Sequence, residues 1–341
     1  MTPVDKGVAV RGGTPAHVRS ARRVQEDALA WVSAHREDFA LGADALAPDG
    51  AVNGSWKPLG ELARVCVSVS LRTPPSDPLH ARVQGLLAYA WRQTLEGELF
   101  ARLQRFEPFA TYPLEVYAAF ASAGLRHAGY EAAVAAVARS RGWRLAEQDP
   151  TRRLGVLAAE RCVGVHRPED VSRSLNGTWL GGLPEPWTFE RSSGYALTHV
   201  VFHLTDWGRD PDGVPADLRT YLADWLPAWL DTCLDAGMWD LSCELLAVAA
   251  SLPEPLGPVS ASDAWEWIAA ARHPTGALPE ERPPRTRSRS EPEFALCYHS
   301  TLMAAFAAAL AVGRHRMSDG RHRMSDRVTG PYDDDLEGAR R

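Results

Sequence analysis

Lysine is almost missing from this chain: Lys6 and Lys57 stand alone, and arginine makes up the other 35 of the 37 basic residues. A mechanism that needs a lysine Schiff base therefore has almost no candidate. Cysteine is scarce too. Cys66, Cys162, Cys233, Cys243 and Cys297 are odd in number, widely spaced and without a Cys-x-x-Cys pair. That pattern excludes a disulfide framework and a structural zinc site, and it suits a reducing compartment. Long apolar runs are also lacking: the longest, Leu302–Val312, is too short to cross a bilayer. The first thirty residues carry no apolar signal core, so the expected location is the cytoplasm and no membrane partner is expected. Acids outnumber bases by 43 to 37, which argues against a surface built for nucleic acid. Gly-x-Gly-x-x-Gly, Gly-x-x-x-x-Gly-Lys-Ser/Thr, Gly-x-Ser-x-Gly and His-Glu-x-x-His are all missing, which removes the easily recognised enzyme classes.

What is present reads as an ordinary globular chain, 45% hydrophobic and 23% charged, in which helix follows helix. Val24, Ala28, Trp31, Val32 and Phe39 mark an amphipathic stripe over 20–41. Further helices are expected at 57–72, 78–104, 113–124, 129–140, 149–163, 193–207, 214–236, 238–252, 260–271 and 293–313. Val65–Ser70 alternates with period two, yet it continues the helical face of Leu59, Leu62 and Ala63 and so belongs to a helix. Segments 164–191 and 273–292, rich in glycine, proline, arginine and serine, read as irregular connections. The expected fold is all-α: stacked antiparallel helical hairpins forming an α/α array or toroid. One domain over 20–313 would lie between a flexible 1–19 and a disordered tail 314–341. That tail repeats Gly-Arg-His-Arg-Met-Ser-Asp at 313–319 and 320–326. His315, His322 and the acidic run Asp333–Asp335 are read there as solvated groups and not as a site. The twelve tryptophans are expected mainly in the core, with several walling a pocket.

Three helices combine polar groups with an apolar setting. On the first, Tyr195, His199, His203 and Asp206 recur at helical spacing and share a face, followed by Gly208 as a left-handed cap. These side chains suit a metal, a proton-transfer pair oriented by a carboxylate, or a buried structural contact. On the second, Glu244 precedes five apolar residues, and a buried carboxylate there needs a histidine, an arginine or a metal as partner. On the third, Tyr298-His299-Ser300-Thr301 interrupts a very apolar helix, so these groups must meet something polar. His299 is the strongest single candidate. Glu160 with Cys162 and His166, and Glu115 with Tyr117, are weaker ones.

Trp31-x7-Phe39, Lys57-Pro-Leu-x-Glu61-Leu, Thr198-His199-x5-Thr205-Asp206-Trp207-Gly208, Glu244-Leu-Leu and Tyr298-His299-Ser300-Thr301-Leu302 together resemble a family of all-helical actinobacterial proteins of unassigned function. Its members are often encoded beside specialised-metabolite genes. The resemblance implies a helical-hairpin array with His199, Asp206, Glu244 and His299 as its polar set. The expected function is a tailoring enzyme that performs acid/base chemistry (cyclisation, isomerisation or elimination) on a small-molecule or peptide substrate, without a cofactor. His299 would move a proton, His199 held by Asp206 would be its partner, and Tyr195 or Tyr298 would donate to developing oxyanion charge. A second reading makes His199, His203, Asp206, Glu244 and His299 ligands of zinc, iron or copper. A third is a non-catalytic helical scaffold for a peptide or partner protein.

Overall fold

The structure is a computed structural model that describes residues 14–43, 45–46, 52–254, 257–283 and 292–328. Among these it contains fourteen α-helices and no strand. They are α1 (Ala16–Ala34), α2 (Lys57–Arg72), α3 (Pro78–Gln93), α4 (Glu98–Phe106), α5 (Tyr112–Ser122), α6 (Ala128–Val137), α7 (Arg141–Arg144), α8 (Pro150–Cys162), α9 (Pro168–Asn176), α10 (Arg191–Leu204), α11 (Ala216–Ala236), α12 (Trp239–Ser251), α13 (Pro258–Ala271) and α14 (Tyr298–Val328).

Six of them close a ring. Helix α2 packs on α5, α5 on α8, α8 on α10, α10 on α12, α12 on α14, and α14 back on α2. Outside lie α1 against α14, α3 against α2, α4 against α5, α9 against α8, and α11 and α13 against α12. The fold is thus an α/α toroid. Its sequence logic is burial on more than one side: a ring helix faces both its neighbours and the outer layer, so it cannot keep a broad polar stripe. Accordingly α12 is buried along almost its whole length, and Leu302 through Leu310 of α14 are all buried. No helix among the described residues is long and apolar enough to cross a membrane.

Several sequence expectations change. The stretch 78–104 breaks in two because Leu95, Glu96 and Gly97 take left-handed backbone, while Thr94 donates to Trp91 O and accepts from Gly97 N at 3.0 Å. The stretch 164–191 contains α9 and short 3-10 turns at Leu180–Gly182 and Pro186–Thr188. At the ends, 16–19 belong to α1 and the first part of the repeat-bearing tail continues α14 to Val328. Asp333–Asp335 and most of 1–19 fall outside the described residues.

The first half of the 273–292 connection is a packed strap. Ala277 and Leu278 are fully buried, and Leu278 N donates to Thr301 Oγ1 at 2.9 Å. Ser300 donates to the Leu278 carbonyl, Asp240 N to Glu280 O at 3.1 Å, and Arg282 N to Gly237 O at 2.8 Å. Hence Ser300 and Thr301, conspicuous in the sequence, satisfy buried backbone rather than line a site. The tryptophans are mostly core: Trp31, Trp56, Trp143 and Trp265 are fully enclosed, and only Trp207 borders the central cavity described below.

Candidate functional site

The ring encloses a cavity of about 280 Å³. Every ring helix sends side chains to it: Glu61 and Arg64 from α2, Glu115 from α5, Arg152 from α8, His199 and His203 from α10, Glu244 from α12, and His299 from α14.

His299 is at the centre of the polar network. Its Nδ1 donates to Glu61 Oε2 at 2.8 Å, and its Nε2 faces Glu244 Oε1 at 3.3 Å and Asp240 Oδ1 at 3.6 Å. Burial alone would strip the ring of its proton, but Glu61, Asp240 and Glu244 outweigh it and hold the imidazole protonated well above its usual range. Glu244 is almost fully buried, which by itself would raise it. The hydrogen bond from His299, the nearby His199 and the Thr198 hydroxyl reverse that and keep it ionised. Asp240 goes the other way. Burial, with Glu244 as a like-charged neighbour, overrides the attraction of His299 and pushes it up to about 6. Its Oδ2 accepts the Tyr195 hydroxyl at 2.7 Å, while its buried Oδ1 accepts no hydrogen bond.

His199 stands on the cavity side of this network. Half of its side chain is exposed, and its Nε2 lies 3.9 Å from Glu244 Oε1. One turn on, His203 is enclosed against α8. A Cβ at Gly155 would sit 3.0 Å from its Nε2, so glycine leaves the room that this ring occupies. Burial pulls His203 down to about 3, assisted by the charges of His199, Arg64 and Arg152. The sign follows directly. Between about pH 6.5 and 3 the unfolded chain binds a proton that the folded chain refuses, so this residue's contribution turns against the fold as pH falls through that window. At pH 5 the cost is about 2 kcal/mol relative to pH 7.5. Urea unfolding at both pH values should show His203→Asn losing less stability on acidification than the parent chain; equal losses would refute the assignment.

Helix α10 stops at Leu204 because Asp206, Trp207 and Gly208 are left-handed in succession. Such backbone at non-glycine residues costs of order 1–3 kcal/mol each. Packing maintains it: Trp207 stacks on Phe202 at 5.0 Å and meets Phe306, Arg64 lies over its ring at 5.4 Å, and Thr205 Oγ1 accepts Gly208 N at 3.0 Å. Asp206 is therefore off the helical face that carries His199. It borders the cavity, where its carboxylate meets Arg209 at 3.4 Å, and no hydrogen bond joins it to His199.

Of the residues singled out from the sequence, His199, Glu244 and His299 converge. His203 and Asp206 reach the same cavity on other walls, and Tyr195 touches the network through Asp240. Tyr298 packs on Phe294 at 5.1 Å and edge-on to Phe39, and it does not line the cavity. The set His199, His203, Asp206 and His299 does not form one metal site. Among the described residues, the group whose donor atoms all lie within 4.8 Å of one another is Asp240, Glu244 and His299. Glu115 lines the cavity, raised by burial and facing Arg152 at 3.5 Å, whereas Tyr117 donates to Glu131 on the outside. Cys162 borders the cavity, Glu160 is committed to Trp143 and Arg167, and His166 is exposed.

Glu61 and Asp240 were missed by reasoning from sequence as site residues. Each had a signal: Glu61 follows Lys57 by one turn between the apolar residues Leu59 and Leu62, and Asp240 precedes Glu244 by one turn on the same face. The fold and this network together define a toroidal all-α protein with a charged, enclosed centre. The chain belongs to the family described as Domain of unknown function (DUF6895), whose sequence profile matches residues 25–309, a span that includes all of α2 to α13 and the first part of α14. No curated protein and no solved structure matches it.

Proposed function

We propose that this protein is an enzyme that moves protons on a small polar molecule held inside the helical ring. The observation that carries this reading is the histidine–carboxylate chain His199–Glu244–His299–Glu61, with contacts of 3.9, 3.3 and 2.8 Å, ending at an imidazole that faces the cavity. His199 is the group that would exchange a proton with substrate. Glu244 supports it from behind, and the longest contact in the chain is one that substrate binding can tighten. His299 holds Glu244 ionised and in place, and Glu61 fixes the orientation of His299. Arg64, beside the cavity with its guanidinium lowered by burial, offers a cation to an anionic substituent. A cavity of this size suits a small molecule better than a folded partner. Isomerisation by moving a C–H proton, or elimination of water in which one group takes a C–H proton and another protonates the departing hydroxyl as its C–O bond breaks, asks for an acid and a base of the kind these side chains supply.

The test is incubation of the protein with a metabolite extract in D2O, followed by mass spectrometry. A product isomeric with its precursor, or lighter by water, and carrying solvent deuterium is expected. His199→Ala should reduce its formation at least about 100-fold, the size of a lost acid–base group. Undiminished product in a His199→Ala, His299→Ala double variant would refute this assignment of roles, and no product from the parent chain would leave a binding scaffold as the reading.

A further inference from the structure

We propose that Asp240, Glu244 and His299 bind one divalent transition-metal ion of the Mn²⁺, Fe²⁺ or Zn²⁺ type, the His299 Nε2 proton passing to solvent as the ion takes its place, with Glu61 as the carboxylate that orients the histidine behind it. The site goes beyond the proton-transfer reading and does not depend on it.

Four observations converge. First, the donor atoms are already gathered: His299 Nε2 lies 3.3 Å from Glu244 Oε1 and 3.6 Å from Asp240 Oδ1, and all three fall within 4.8 Å of one another. Two ligand atoms each about 2.1 Å from one ion, at angles between tetrahedral and octahedral, lie about 3.0–3.4 Å apart, so the two distances to His299 need little change and the two carboxylates, within 4.8 Å, must draw together. Second, Asp240 Oδ1 is buried and accepts no hydrogen bond, while the other oxygen of that carboxylate is held by Tyr195. An orphaned buried oxygen aimed at a histidine nitrogen is a costly arrangement that a cation resolves. Third, the far nitrogen of His299 donates to Glu61 at 2.8 Å, the arrangement that fixes ring orientation and raises ligand basicity in carboxylate–histidine–metal sites. Fourth, carboxylates outnumber close cations: Glu61, Asp240 and Glu244 share His299, with Lys57 reaching only Glu61 at 3.7 Å and the half-exposed His199 only Glu244 at 3.9 Å.

One imidazole with two carboxylates matches borderline transition ions better than calcium, which prefers an all-oxygen shell. Glu244 and His299 both border the cavity, so a bound ion would have a position open toward a ligand, as catalytic sites do.

Chelator-treated full-length protein should be titrated with Zn²⁺ and with Mn²⁺ by calorimetry, and with Co²⁺ by visible absorption. The parent chain should bind one equivalent. Asp240→Asn, Glu244→Gln and His299→Asn should each weaken binding at least 100-fold, and Glu61→Gln about 10-fold. His199→Ala should still bind one equivalent even where it abolishes turnover, which separates this site from the proton-transfer reading. A His315→Asn, His322→Asn variant should also bind normally, since it removes imidazoles of the terminal repeat. Circular dichroism of each variant checks its fold. The Co²⁺ spectrum of the unaltered chain gives a readout that needs no variant, with a d–d band below about 650 nm expected for nitrogen–oxygen ligation. No saturable binding of any of the three ions below about 100 μM by the parent chain would overturn the site. So would binding that survives unchanged in Glu244→Gln and His299→Asn.

Discussion

His299→Leu should lower the unfolding free energy by about 3–5 kcal/mol, the cost of removing one member of a buried charged cluster. The side chain is 14% exposed, and it lies 3.6 Å from Asp240 and 3.3 Å from Glu244, nearer to Glu244 than His199 at 3.9 Å. Leucine fills similar space but leaves Asp240, Glu244 and Glu61 facing one another without their shared partner. Denaturant unfolding in chelator at pH 7.5 is the measurement, so that no bound ion contributes. The second expected value belongs to the double variant His299→Leu, Glu244→Leu. Removing Glu244 as well relieves the repulsion with Asp240, so the two changes together should cost clearly less than the sum of the single ones, with a coupling of about 1–3 kcal/mol. Additive losses would mean that the network does not act as a unit in the folded protein.

A comparable loss, about 3–5 kcal/mol, is expected for Glu160→Leu, and it should leave the cavity untouched. Glu160 is fully buried in α8, accepts Trp143 Nε1 at 2.6 Å and meets Arg167 at 3.0 Å. Arg153, also buried, has its guanidinium lowered by burial and is supported by the charge of Glu160. Leucine at 160 would strand two guanidinium groups and the indole N–H together. Glu160→Gln retains an acceptor for Trp143 and should cost about half as much. Unchanged turnover per folded molecule in Glu160→Gln would confirm that this carboxylate serves the wall of the ring and not its centre. A loss below about 1 kcal/mol in Glu160→Leu would show that the surrounding arginines are instead satisfied by water.

The two carboxylates illustrate what can be read in a sequence and what cannot. Glu244, before five apolar residues, demanded a buried partner on that ground alone, while Glu160 stood out only as a weaker candidate beside Cys162 and His166, and both carboxylates are buried. The histidines of Glu244 come from 45 and 55 residues away, whereas Glu160 takes Trp143 from α7, Arg153 from its own helix and Arg167 from just before α9, so the first set is invisible locally and the second is nearer in sequence. The polar run on α14 divides in the same way. His299 turns to the centre, whereas Ser300 and Thr301, on successive faces, hold the strap at Leu278. Their common feature in sequence, a polar group in an apolar helix, is one signal with two causes.

The face proposed for Tyr195, His199, His203 and Asp206 shows where periodicity fails. It holds through His203 and then ends, since three left-handed residues redirect the chain after Leu204. Only Gly208 of those three announces itself. A Cβ there would sit 2.9 Å from Leu310 and 3.0 Å from Arg72, and those neighbours are supplied by α14 and α2. Tyr298 likewise joins an aromatic group: Phe294, four residues earlier, is at helical spacing, but Phe39 meets it from a distant segment that no spacing announces.

Local chemistry therefore settled the helices themselves. Apolar spacing, prolines at helix starts and the absence of alternating strands specify an all-α chain, because each helix satisfies its own backbone and needs only a face to bury. The assembly decided the rest. Closing α2, α5, α8, α10, α12 and α14 into a ring brings Glu61 to His299 across 238 residues of chain and sets Asp240 beside both His299 and Tyr195. Such pairings depend on which helices become neighbours, and that is fixed by the collective burial of their faces rather than by any segment alone.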